Sequence, residues 1–391
     1  MVSLYFHIPF CVHRCAYCDF NTYAGQEQLI PAYVKALCHE VRFVAATAPE
    51  RQTVHTIFFG GGTPSLLTTT QFNSILKAIH DCFDLTTDAE VSLEANPGTL
   101  SLAALQDLHA LGFNRLSLGV QSVHPEELHQ LERIHDHFDV INSVGWARQA
   151  GFTNLNIDLI FGLPEQTLER WQTTLDVILG FHPEHLSLYA LTVESGTPFG
   201  RWAQHGLMPL PDPDLAADMY EWAGERLSAA GFEQYEISNW SKPGLQCRHN
   251  LQYWRGLPYL GFGAGAHGYA AGIRYSDVLR IRTYIERLAG EPDLGGGPAF
   301  PFSQAAVSHE QISIYTEMQE TMMTGLRLTR EGVSDRVFYQ RFGRRMKDVF
   351  GEEITDLVRL GLLEWLDPEG IVRLTEHGRL LGNQVFLRFV D

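Results

Sequence analysis

Long apolar runs are missing from this chain. No uncharged stretch approaches the roughly 20 residues that a bilayer-spanning helix needs, so no transmembrane segment is expected. Also absent is a basic amino-terminal region leading into an apolar core and a small-residue cleavage site, so the chain is expected to be cytoplasmic. Cysteine is scarce, at six in 391 residues, which excludes a disulfide scaffold. Positive charge is outweighed, with 29 Lys and Arg against 46 Asp and Glu and a formal net charge of −17. That sign opposes binding to nucleic acid or anionic lipid by bulk electrostatics. What remains is an ordinary globular composition, 45% apolar and 19% charged. The length suits a barrel-sized domain plus a smaller one.

The first two-thirds alternate short apolar runs with amphipathic ones. Strands are expected at 2–8, 55–60, 89–95, 115–120, 154–161 and 185–193. Between them lie helical patterns such as LIPAYVKALCHEVRFVAA and LERWQTTLDVILG, with apolar residues three and four apart. Repeated strand–helix units imply a parallel sheet with helices outside it, so the fold class is α/β and the count suits a partial (β/α) barrel. Functional groups then belong at the carboxyl ends of the strands. A Gly/Pro-rich stretch suggests a first domain over 1–290, a linker over 291–305 and a second domain over 306–391. A long helix (308–326), a helix pair near 331–365 and a hairpin in GLLEWLDPEGIVRLT give that second domain a helical, winged-helix-like order. Its basic run RFGRRMKD sits beside Glu352, Glu353 and Asp356 and reads as a solvated or partner-docking face rather than a nucleic-acid surface.

Three of the six cysteines fall within eight residues: Cys11, Cys15 and Cys18, spaced C-x3-C-x2-C. Three thiolates cannot complete a tetrahedral zinc site, and no second C-x2-C pair exists to help them. Cys38, Cys82 and Cys247 are scattered. A [4Fe–4S] cluster with one iron left open by the protein fits the spacing; zinc and a redox dithiol are the alternatives. With Tyr17 just before the last cysteine, the loop resembles that of the radical S-adenosylmethionine (SAM) superfamily. The resemblance implies that SAM chelates the open iron and is cleaved by an electron from the reduced cluster.

The run FFGGGTPSLL follows the second strand, and its glycines permit close backbone approach. Taken with the cysteine loop, the resemblance assigns Gly61, Gly62 and Thr63 to the methionine amino group. Glu94, Gln121, Asp158 and Ala190 each end a strand-like run. Any single polar one is equally a helix cap, but together they offer groups of the kinds that a ribose diol and an ammonium need. Arg133 is a candidate for a bidentate fork to the methionine carboxylate, against the plain reading of a solvated helix charge.

Further matches run nearly end to end: YFHIPFCVHRCAYCDF, LSLGVQS, NIDLIFGLPEQT, LGFGAGAHG and LTEHGRLLGNQVF. They resemble the group that holds oxygen-independent coproporphyrinogen III dehydrogenase and the HemW family of haem chaperones. In that pattern Tyr5 and Tyr17 also line the SAM site, and His267 takes the place of an apolar SAM contact. The dehydrogenase carries a fourth cysteine where Phe20 stands here, and a long arm before the motif. The HemW family instead shows C-x3-C-x2-C followed by Asp-Phe, and an H-N-x-x-Y-W motif, which reads HNLQYW at 249–254.

His249 offers an imidazole to haem iron, and Tyr253 and Trp254 offer flat faces to a porphyrin. On composition alone a histidine beside aromatics is more often a packed structural residue, and Cys247 is a second candidate ligand. The resemblance implies a chaperone that binds haem b and delivers it to haem-dependent proteins, membrane respiratory enzymes among them, with peripheral membrane association during delivery. Its competitors are the dehydrogenase, which converts propionates to vinyl groups, and a simple iron–sulfur electron carrier.

Overall fold

The computed structural model describes residues 1–290 and 299–390. The chain divides into two compact units, residues 1–223 with 258–310, and residues 224–257 with 311–391. The expected boundary differs: 224–257, which carries HNLQYW, groups with the second unit rather than with the barrel. The first eight residues of the expected linker lie outside the described residues. The remainder is packed into the first unit, where Ser303 and Ala305 are buried.

The first unit is built on β1 (Val2–Ile8), β2 (Thr53–Gly61), β3 (Asp84–Ala95), β4 (Arg115–Gln121), β5 (Leu155–Phe161) and β6 (His185–Ala190). They pair in that order, all parallel. β7 (Tyr259–Phe262) adds a parallel partner on the other side of β1, and β8 (His267–Ala270) and β9 (Ile273–Asp277) continue the sheet as an antiparallel meander. This is the open, partial α/β barrel that the alternation predicts.

The strands read as near-continuous buried runs because both faces are covered; every residue of β4 is buried. Helix α1 (Ile30–Thr47) buries Ile30, Tyr33, Val34, Leu37, Val41 and Val44, an apolar stripe at helical spacing. Helix α2 (Thr69–Cys82) starts at a capping box between Thr68 and Gln71.

One α1 residue reaches across to the far strands. Glu40, 1% exposed, accepts hydrogen bonds from Gly263 N (2.9 Å), Tyr284 OH (2.6 Å) and Ser303 Oγ (2.6 Å). Tyr33, about two turns earlier on the same helix face, donates to His7 O at 2.7 Å and accepts from Ala264 N at 2.9 Å. The helix therefore ties the β1 exit to the glycine-rich turn after β7.

In the second unit, Val333–Ser334, Ile371–Leu374 and Leu363–Leu366 form a three-stranded antiparallel sheet beside helices Asp335–Phe342 and Met346–Arg359. Met318, Met322, Phe338, Phe350, Ile354, Leu357 and Val372 fill the core between them. The long helix expected over 308–326 is shorter than that. A strand occupies Ala306–Gln311, and the helix runs Ile314–Gly325 because Ser313 caps it, accepting from Thr316 N at 3.0 Å. In the basic run, Arg341 pairs with Glu317, Arg345 pairs with Asp335, and Lys347 lies over Trp365.

Glu40→Ala strands three buried donors at once. At about 1–3 kcal/mol for each unsatisfied group, the variant should lose at least about 3 kcal/mol of stability in urea denaturation, and Glu40→Gln should lose less.

Candidate functional site

A cavity of about 440 Å³ opens at the carboxyl ends of the first unit's strands. Its lining brings together Cys11, Cys15, Tyr17, Cys18, Gly61, Gly62, Thr63, Glu94, Gln121, Arg133, Asp158 and Ala190, twelve of the positions singled out from the sequence. Tyr5 and His267 are not among the lining residues. Tyr5 lies just behind the wall, its hydroxyl 3.0 Å from His7 Nδ1. Because the Asn21 carbonyl at 2.9 Å can only accept, His7 Nε2 carries the proton and Nδ1 accepts from Tyr5. Burial lowers the His7 pKa and keeps the ring neutral.

The glycine run is held against the cysteine loop by backbone. Gly62 N donates to Ile8 O at 2.9 Å and Thr63 N to Phe10 O at 2.8 Å. A Cβ on Gly62 would lie 2.7 Å from Phe10 O, 2.8 Å from Ile8 O and 3.1 Å from Cys11 Sγ, so no larger residue fits. Gly61 takes φ +107°, and a Cβ there would meet the His7 ring at 2.4 Å.

Each clustered thiol has a polar side chain beside it. Thr63 Oγ1 lies 3.6 Å from Cys11 Sγ, Arg133 Nη1 3.5 Å from Cys15 Sγ, and Thr22 Oγ1 3.9 Å from Cys18 Sγ. Burial opposes the charge on Arg133, and Tyr17 and the neighbouring thiols more than offset it. Nη2 of Arg133 donates to Asn96 Oδ1 at 2.6 Å and to Gly119 O, and among the described residues Nε is its one buried nitrogen without a partner. That orphaned donor is where a carboxylate would be received. Asn96 escaped the sequence reading, although it lies two residues beyond Glu94 and so on the same face of the strand exit.

Among the described residues no three His, Cys, Asp or Glu side chains converge on one ion. A cubane does not ask for that, since its three thiolates bind three different irons. Together with the glycine cradle and the orphaned Arg133 N–H, the donor set fits such a cluster better than a single zinc ion.

The strand ends supply acidic groups. Glu94 accepts from Gly61 N at 3.1 Å, and Asp158 accepts from Ser117 Oγ at 2.9 Å and Asn156 Nδ2 at 2.7 Å. Burial, and then the neighbouring Asp158, push Glu94 up to about 7; burial also raises Asp158 against the bonds it accepts. Gln121 is 8% exposed with φ 70°, a left-handed conformation that turns its side chain at the end of β4.

The second unit holds the other candidate. His249 is the second residue of helix Arg248–Trp254, is 1% exposed, and has Nε2 2.9 Å from Tyr253 OH. Cys247 is fully buried, its N–H donating to Tyr235 OH at 3.4 Å. The Arg327 guanidinium lies 4.5 Å over the Trp254 ring.

Glu94 has a pH signature. A folded-state pKa of about 7 against the ordinary 4.5 of a glutamate means the fold prefers the protonated carboxyl. Its contribution is full below about pH 4.5 and is lost as pH rises to about 7. The stability of Glu94→Gln relative to wild type should therefore climb by of order 3 kcal/mol across that window and stay level above it, measured by urea denaturation at a series of pH values.

Comparison with known proteins identifies the family. The radical SAM superfamily pattern matches residues 5–178 and the HemN C-terminal domain pattern matches residues 315–381. The chain is 40% identical to heme chaperone HemW of Bacillus subtilis over 100% of its own length and 99% of the relative's. It is 36% identical to heme chaperone HemW of Escherichia coli over 100% and 98%. Among solved structures, the radical SAM enzyme coproporphyrinogen III oxidase (HemN) of Escherichia coli superposes with a TM-score of 0.83, at 25% identity, over 99% of this chain and 89% of that one. Radical SAM membership implies a [4Fe–4S] cluster and SAM. With full-length identities of this size, a partial α/β barrel and a HemN-type carboxyl-terminal domain, the chain belongs to the HemW family of the radical SAM superfamily.

Proposed function

We propose that this protein is a haem chaperone that binds haem b and hands it to haem-dependent proteins. The observation that carries the reading is end-to-end similarity to heme chaperones at up to 40% identity, with no segment of the chain left over. On this reading Cys11, Cys15 and Cys18 hold a [4Fe–4S] cluster. Gly61, Gly62 and Thr63 would hold the methionine end of SAM, and Glu94, Gln121 and Asp158 would supply partners for its ribose. When bound and reduced, the cluster supplies single electrons to the sulfonium. The chain's own residues do the rest: glycine backbone closes one wall, and the Arg133 Nε–H receives a carboxylate. An ionised Glu94 accepts from hydroxyls.

Phe20 supports a carrier over a decarboxylase. It stands where the dehydrogenase resembled above carries a fourth cysteine, and its ring is 62% exposed on the rim of the cavity. Among the described residues no helix is long and apolar enough to cross a membrane, so delivery to a membrane enzyme would be made from the surface.

Haem is assigned to HNLQYW in the second unit, with His249 as iron ligand. In the state described here its Nε2 is engaged by Tyr253 and the ring is buried. Haem binding therefore requires this helix to open.

Titration of the reconstituted protein with haem under anaerobic conditions tests the assignment. His249→Ala should alter the Soret band and weaken binding about tenfold or more, and Cys247→Ala should leave the spectrum unchanged. Tyr253→Phe, which removes the competing hydroxyl, should bind haem faster than wild type. A spectrum that responds only to Cys247→Ala would move the ligand to the thiolate. Incubation with reductant, SAM and coproporphyrinogen III should give no divinyl product by chromatography, and multiple turnovers would make the chain a decarboxylase.

A further inference from the structure

We propose that Asn96 is a positioning residue for the cluster ligands, one side-chain amide that fixes the donor at Cys11 and the donor at Cys15 together and so sets the reduction potential of a cluster bound there. The inference rests on the cluster reading above, and its readout is the potential rather than any turnover.

The argument is one of hydrogen-bond polarity. Arg133 has only donors, so the group it meets at 2.6 Å must be the amide oxygen of Asn96. The amide NH2 then faces Thr63 Oγ1 at 3.0 Å, and that hydroxyl must accept. A hydroxyl owns a single proton, and with the amide donating to its oxygen the proton is directed to Cys11 Sγ at 3.6 Å. Arg133 meanwhile places Nη1 3.5 Å from Cys15 Sγ. The result is a directed chain, Cys15–Arg133–Asn96–Thr63–Cys11, in which every donor has one available orientation.

The surroundings hold it there. Thr63 is 3% exposed. Gly119 leaves room for the chain, since a Cβ there would press on Asn96 Oδ1 at 3.2 Å and Arg133 Nη2 at 3.3 Å. Cys18 has its own donors, the backbone N–H of Phe20 and the Thr22 hydroxyl 3.9 Å away, and neither hangs on Asn96.

Hydrogen bonds to cluster sulfurs favour the more negatively charged state. When a [4Fe–4S]2+ cluster takes one electron from dithionite, the added negative charge spreads onto the thiolates. A directed donor at two of them stabilises the reduced form. A hydrogen bond to a charged group is worth about a factor of ten in an equilibrium, which for a one-electron couple is about 59 mV.

The experiment is a dithionite titration of the full-length, anaerobically reconstituted protein, followed by low-temperature EPR, with iron and sulfide counted first. Thr63→Val and Asn96→Ala should each lower the reduction equilibrium constant about tenfold. Thr63→Ser, which keeps the hydroxyl, should restore it. The double variant should fall short of the sum of the singles, because both break one chain. Wild-type potential and EPR spectrum in cluster-loaded Asn96→Ala and Thr63→Val overturn the proposal. If Asn96→Ala does not retain its cluster, Thr63→Val decides alone, since it leaves Asn96 and Arg133 in place. Failure of the wild-type chain to take up about four irons on the three cysteines would show in the iron count, and would sink the cluster reading before any potential is measured.

Discussion

The site depends on one close approach. The exits of β1 and β2 lie so near each other that Gly62 and Thr63 bond by backbone to Ile8 and Phe10, and the cysteine loop starts from that clasp. There is no space at Gly62 for even a methyl group. A three-thiol loop elsewhere on the surface would be a flexible chelator; here its first cysteine is 7% exposed and fixed by the sheet itself. The other groups can then be presented to it from neighbouring strand ends with no further loop ordering.

Much of this was legible in the sequence because parallel α/β topology makes the carboxyl end of each strand a functional edge. Glu94, Gln121, Asp158 and Ala190 terminate apolar runs, and the structure brings them to one cavity. Asn96 is not legible in this way because it lies just past the apolar run that Glu94 ends, although the two-residue period of a strand puts Glu94 and Asn96 on one side. Thr63 carries more than the backbone role that its place in the glycine run suggests, because its hydroxyl lies between Asn96 and Cys11. Glu40 was invisible for another reason: in a helix, a lone glutamate reads as a solvated charge, and its three buried donors come from positions more than 200 residues away. Nor does chain order reveal that 224–257 packs with the carboxyl-terminal helices; that grouping is purely tertiary.

Charge is distributed to suit a cationic ligand beside an anionic cluster. Arg133 answers the thiols on one side of the cavity, while Glu94 and Asp158 lie at the strand exits of the same cavity. Burial makes both carboxyls reluctant to ionise, and Arg115 beneath them works in the opposite direction. On the proposed reading, a cationic ligand in the cavity would favour the ionised form of Glu94, which burial holds up to about 7.

The bond between His249 and Tyr253 has a consequence for a carrier. A protein that transports a cofactor must let it go, and a ligand nitrogen with no alternative partner would hold on. Here the imidazole has an internal substitute 2.9 Å away. On the proposed reading, handing over haem does not leave a buried polar group stranded, because the tyrosine hydroxyl takes the metal's place. Surrender of the cargo is then close to an exchange reaction, driven by whichever acceptor offers iron a better second bond.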